Sequence, residues 1–209
     1  MADTGAILKA RWLELCPAGV ACSETFSELL AAYGSRARAY HNTGHIAALL
    51  QLSAAHAADL TDHDAVDLAI FYHDAVYDPS RPDNELRSAE FARERLPALG
   101  VLAERIDWIA RAIEATKHSA ASPTGDRDLD HLLDFDLSIL AADPATYDAY
   151  AQAIRQEYAI YPDAIYRSGR AKVLTAFLDA AAIYRVPKLA ETWDSLARCN
   201  LAAELAGLV

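Results

Sequence analysis

The sequence predicts an all-α fold, and three observations carry that expectation. About a fifth of the 209 residues are alanine, the best helix former, and only 8 are glycine. No segment sustains the apolar/polar alternation of a half-buried strand. Helix-capping residues recur ahead of apolar runs along the chain. The length suits one domain spanning 1–209, with enough buried surface to fold without a disulfide or a metal.

Each element has its own signal. Ser23 is placed to cap SETFSELLAAY, which Gly34 stops. Asn42 or Thr43 opens a helix through HIAALLQLSAAHA. Thr61 and Asp64 form a capping box ahead of AVDLAIFYHDAVY. Asp83 or Asn84 opens ELRSAEFARERL, and a further helix runs from near Leu102 to Lys117. LDHLLDFDLSILA follows. Asp143 and Pro144 pair a cap with a proline at the first helical position, opening ATYDAYAQAIRQEYAIY. GRAKVLTAFLDAAAIY is next, and Pro187 opens KLAETWDSLARCNLAAELA. The segments DPSRPD (78–83) and SAASPTGDRD (119–128) read as loops.

Charge and cysteine content narrow the function. A formal net charge of −11 opposes general binding to nucleic acid or an anionic membrane surface. An anionic substrate must then be met by a local cation or a metal. Cys16, Cys22 and Cys199 are an odd set without CxxC spacing, which reads as reduced thiols of a cytoplasmic protein and small buried hydrophobes. No leader pattern or membrane-spanning run is present. The alanine-rich final helix suits either closure of the core or a homo-oligomer contact.

Chemistry concentrates in four strings. YHNTGH places His41 and His45 four residues apart. LAIFYHDAVYD ends an apolar helix on His73-Asp74. TKHS ends another helix on Lys117 and His118. LLDFDL sets Asp134 and Asp136 in an apolar run. A carboxylate among Leu, Ile and Phe is costly unless it is paired or binds a metal. Neutral imidazole with carboxylate is a ligand set for Zn, Mn, Fe, Co or Ni. His56, His63 and His131 belong to no motif and read as structural or exposed. The tyrosines of YAIYPDAIY read as packing residues rather than a base-stacking pocket.

With DNELRSAE, IRQEY and GRAKVLTAFL, these strings resemble, in order, the HD superfamily of metal-dependent phosphohydrolases. The resemblance implies an HD-domain-like helical bundle holding one divalent ion (Mn, Zn, Fe, Co, Ni or Mg). It implies His45, His73, Asp74 and Asp136 as ligands. The implied reaction is hydrolysis of a phosphoester in a nucleotide or other small phosphorylated metabolite, with a metal-held hydroxide as nucleophile. The alternative is a nucleotide-binding sensor or scaffold of the same type that keeps the metal without turnover.

YHNxxH is also similar to a string of the cyclic-nucleotide phosphodiesterases, which makes His41 the candidate acid for the leaving oxygen. Where related alarmone hydrolases carry an acid pair after the doublet, this chain has Tyr77 and Asp78, so Asp78 alone is the candidate water-orienting base. Asp134 and Glu85 are candidates to support a ligand histidine, the reverse assignment of Asp134 and Asp136 remaining open. Lys117, His118, Arg155 and Arg170 are the candidate phosphate-binding cations. His118 is also a candidate ligand of a second ion.

Overall fold

The computed structural model describes residues 3–16, 18–117 and 122–208. Among these, the chain is all-helical, with ten α-helices and no strand. It forms two compact units, Met1–Lys117 and His118–Val209. No helix among the described residues is long and apolar enough to cross a membrane.

The N-terminal unit contains α1 (Thr4–Leu15), α2 (Val20–Tyr33), α3 (Thr43–Ala55), α4 (His63–Tyr72), α5 (Asn84–Arg95) and α6 (Ala103–Ala115). The first of these has no counterpart among the expected elements. Asp3 caps it by accepting from the Gly5 amide, and it buries Leu8 and Trp12. Trp12 packs its ring on Phe71 at 5.1 Å and on Phe26 at 5.7 Å, and donates its indole N–H to the Cys22 carbonyl.

At the centre lies α4, whose residues Ala65 to Tyr72 are all buried. Asp62, rather than Thr61, caps it through the Ala65 amide. Helix α4 packs against α3, α5 and α6, so no face of it is left to solvent and its polar residues must find partners. Asp67, 1% exposed, meets Arg11 of α1 at 2.5 Å and His63 at 3.2 Å. Asp64 takes a second Arg11 nitrogen at 2.7 Å. A buried acid on a core helix thereby anchors α1.

The C-terminal unit contains α7 (Arg127–Asp136), α8 (Pro144–Glu157), α9 (Asp163–Asp179) and α10 (Pro187–Leu208). Helix α7 tightens into a 3-10 turn over Leu137–Ala141, where one continuous helix was expected. Asp143 caps α8 through the Thr146 amide with Pro144 first in the helix, as the sequence indicated. Helix α9 starts six residues before the expected Gly169, taking in Ile165 and Tyr166 of the tyrosine-rich segment. Leu140, Tyr147, Leu174, Ile183, Tyr184, Ala197 and Leu201 form the core, with α10 against α9, α8 and the 3-10 turn.

A polar network lies within this core. Arg170 of α9 grips Glu204 of α10 through both carboxylate oxygens at 2.7 and 2.9 Å, and the Tyr147 hydroxyl donates to Glu204 at 2.5 Å. Burial alone would raise the Glu204 pKa, but Arg170 and Tyr147 outweigh it and hold the carboxyl below its usual range. The network's contribution is therefore full above about pH 4.3 and is lost as the pH falls from there through the folded-state value. Thermal unfolding of wild type and Glu204→Gln is expected to differ most at neutral pH and to converge as the pH falls through the folded-state value of Glu204.

Cys16 and Cys22 are buried free thiols, as expected. Burial, aided by the neighbouring Cys22, pushes the Cys16 thiol up to about 12, so it is inert. Cys199 differs from the expectation: it is exposed on α10.

Candidate metal centre

Two helix ends build the centre. Asn42 caps α3 by accepting from the Gly44 amide at 2.8 Å, and its amide group donates back to the Ala39 carbonyl at 2.9 Å. A Cβ on Gly44 would sit 3.0 Å from the capping oxygen, so glycine here lets the cap close. This cap puts His45 in the first turn of α3, buried, and leaves His41 just outside it, one-fifth exposed. Tyr40 packs on both imidazoles, its ring 5.0 Å from His41 and 4.9 Å from His45, and the two imidazoles meet edge to face at 5.9 Å.

The other end is that of α4. Regular helix stops at Tyr72, earlier than the expected run through Tyr77, and His73 is the C-terminal cap. The His73 Nδ1 lies 2.9 Å from the Ile70 carbonyl. A carbonyl only accepts, so Nδ1 carries the proton and a neutral His73 presents the lone pair of Nε2. That Nε2 lies 3.2 Å from His45 Nε2 and 3.0 Å from Asp74 Oδ2. The same Asp74 oxygen is 3.9 Å from His45 Nε2 and 4.0 Å from His41 Nε2.

The Nε2 atoms of His45 and His73 and an Asp74 carboxylate oxygen thus converge in a nearly dry place, with the His45 and His73 side chains 3% and 2% exposed. Such a group needs a hydrogen or a metal ion between its atoms. Metal bonds of about 2.0–2.2 Å at roughly 90–110° put ligand atoms about 2.8–3.6 Å apart. The 3.0 and 3.2 Å separations meet that condition, and the 3.9 Å one needs a few tenths of an ångström of closure. His45 and His73 belong to a group of side chains suited to holding an ion. The residues present fit a divalent metal.

The turn after the doublet is pinned to α5. Ser88 Oγ accepts from the Val76 amide and donates to the Val76 carbonyl, at 3.0 and 3.1 Å. Asn84 does the same to Asp78, at 3.0 and 2.8 Å. This explains the chemistry of DNELRSAE: its short polar side chains replace the hydrogen bonds that the loop backbone cannot make for itself. Glu85 lies in the first turn of α5, with no hydrogen bond or ion pair to a histidine among the described residues. Asp78 makes a turn, accepting from the Ser80 hydroxyl at 2.6 Å and the Ser80 amide at 2.8 Å. Those two bonds hold its pKa below the usual carboxylate range, which makes it a weak base. Lys117 donates to the Pro82 carbonyl of the same loop at 2.6 Å.

The remaining candidates lie in the C-terminal unit. His118 lies outside the described residues. Arg155 is occupied by the turn between α8 and α9: it donates to the Tyr158 carbonyl at 3.1 Å and lies over the Tyr166 ring at 4.6 Å. Arg170 is held by Glu204. Both make contacts within the unit, and Arg155 keeps 33% of its side chain exposed.

Asp134 is fully buried and accepts from the Arg185 amide at 2.9 and 2.8 Å and the Val186 amide at 2.7 Å, tying α7 to the segment that opens α10. Among the described residues of that unit it makes no hydrogen bond to a histidine. Asp136, two residues on, ends α7 and is half-buried. Replacing Asp134 by alanine strands the buried Arg185 amide at about 1–3 kcal/mol and loosens the part-buried Val186 amide. The variant is expected to unfold at lower urea yet retain metal. Metal lost with stability unchanged would exchange the assignments of Asp134 and Asp136.

His56, His63 and His131 each have a neighbour, and His56 and Asp59 also belong to a second group of side chains suited to holding an ion. His56 pairs with Asp59 at 3.2 Å, His63 with Asp67, and His131 Nδ1 bonds the Arg127 carbonyl at 2.8 Å. One residue at the centre escaped the sequence reading. Arg38, nine-tenths buried, reaches both halves of the centre, and nothing in SRARA distinguishes it from its neighbour Arg36.

No family model, curated protein or solved structure matches the chain.

Proposed function

We propose that the protein is an HD-type metal-dependent phosphohydrolase acting on a nucleotide or another small phosphorylated metabolite. The observation that carries this reading is the buried meeting of His45 Nε2, His73 Nε2 and Asp74 Oδ2, on a His-Asp doublet that ends an apolar helix. These three residues hold the divalent ion, and the resemblance to the HD pattern assigns Asp136 as the fourth. Asp134 is committed to backbone amides, which supports this choice between the two acids.

The bound ion supplies Lewis acidity, activating water and neutralising charge on phosphoryl oxygens. The chain supplies the rest. The Ile70 carbonyl fixes the His73 tautomer that keeps Nε2 available. His41, more exposed than His45 and near the same Asp74 oxygen, is positioned to give a proton to the leaving oxygen. Asp78 and Lys117 shape the loop beside the doublet.

The test is turnover with the metal controlled. Wild type loaded with Mn2+, Co2+ or Mg2+ is expected to hydrolyse at least one member of a panel of nucleoside monophosphates, cyclic nucleotides and sugar phosphates, followed by chromatography. Asp74→Asn is expected to lose that activity with its helix content intact. A wild type that carries metal and binds a nucleotide but converts nothing overturns hydrolysis in favour of a sensor.

A further inference from the structure

We propose that Arg38 is a positioning residue that locks the His41 loop to the His73-Asp74 turn, so that acid and metal ligands keep one arrangement. The inference rests on the metal-site reading above. Arg38 lies in the stretch between α2 and α3, yet it is only 9% exposed. Its Nη1 donates to the Asp74 carbonyl at 2.5 Å and to the His41 carbonyl at 3.3 Å. Its Nη2 donates to the Ala75 carbonyl at 3.0 Å. These acceptors belong to two segments more than 30 residues apart in sequence, and each adjoins a residue of the proposed site.

The aromatic neighbours complete the lock. The guanidinium carbon lies 5.1 Å from the Tyr33 ring centroid and 5.4 Å from that of Tyr77. Tyr77 in turn packs on the His41 imidazole at 4.4 Å. The Tyr33 hydroxyl donates to the Phe71 carbonyl, two residues before His73. A cation also suits the carbonyl-rich end of α4.

A planar guanidinium offers several donors in a fixed fork, and a lysine ammonium is a point charge on a flexible stem. Lysine at this position keeps the charge but cannot hold both segments in register. The role therefore belongs to the shape of the side chain.

The experiment compares wild type, Arg38→Lys and Arg38→Ala in two measurements. The first is amide hydrogen exchange of the metal-free protein. The second is titration with Co2+, read by its visible spectrum. In both variants the amides of 39–46 and of 73–78 are expected to exchange faster together, while α1 and α6 keep their protection. Co2+ affinity is expected to fall about 10–100-fold, the usual cost of losing a group that orients metal ligands. Added guanidinium ion is expected to restore part of that affinity to Arg38→Ala and none to His73→Asn.

Should Arg38→Ala fail to fold, Arg38→Lys, which keeps charge and stem, carries both measurements. Arg38→Lys matching wild type in both overturns the proposal. So does faster exchange confined to one of the two segments, or faster exchange in both with Co2+ affinity unchanged. A wild type that binds no Co2+ overturns the metal reading instead, and exchange alone then decides for or against Arg38.

Discussion

Replacing His73 by asparagine is expected to empty the metal centre and end turnover. Removing a group that merely orients a ligand costs about 10–100-fold in affinity, and removing the ligand itself is expected to cost more than about 100-fold. Asparagine is the informative choice. Its amide can still donate to the Ile70 carbonyl, so the cap of α4 survives while the Nε2 atom facing His45 and Asp74 is lost. His73→Ala also removes the hydrogen bond and leaves a void in a buried place, mixing stability with ligation. Metal content by mass spectrometry, with circular dichroism as the fold control, checks the outcome. An asparagine variant that keeps wild-type metal content would remove His73 from the ligand set.

The second large effect belongs to Arg170. The sequence makes it a candidate for phosphate, and the structure puts its Nε and Nη2 on Glu204, with the two side chains 9% and 12% exposed. Deleting one partner of such a pair leaves a buried charge uncompensated, at about 3–5 kcal/mol. Native proteins are stable by about 5–15 kcal/mol, so Arg170→Ala is expected to bring the C-terminal unit close to unfolding. The double change Arg170→Met with Glu204→Leu removes both charges and is expected to recover most of that loss. Urea unfolding of the single and double variants measures the difference. Turnover then separates the two roles for Arg170. Recovered stability with retained turnover fits a packing residue, and recovered stability with a raised KM would return Arg170 to the substrate.

Much of the fold is legible in the chain. Capping follows local rules, so Asn42 at α3 and the Asp143-Pro144 pair at α8 fall where the sequence puts them, and α5 begins right after Asp83 although that carboxylate binds Arg81 instead of the helix. Helix α1 went unnamed because Lys9, Arg11 and Glu14 interrupt its apolar pattern. Arg11 sits there for a partner on another helix, the buried Asp67. The early end of α4 was equally hidden. His73 trades its place in the helix for a cap, and the loop beyond survives because Asn84 and Ser88 supply its hydrogen bonds.

The site divides along the same line. The sequence by itself determined an all-helical chain, because composition and capping are local matters, and it marked His41, His45, His73, Asp74, Asp134 and Asp136 as candidates for chemistry, because the cost of burying a carboxylate is legible in its neighbours. Which atoms meet is a tertiary matter. Only the fold directs the Nε2 atoms of His45 and His73 to within 3.2 Å of each other, through a tautomer set by a carbonyl three residues away. Only the fold commits Asp134 to the amides of Arg185 and Val186, Arg170 to Glu204, and Arg38 to three carbonyls of the centre. A charged side chain reads the same in sequence whether it faces a ligand or holds a helix end. Its role is decided by which acceptors lie within about 3 Å once the chain has packed.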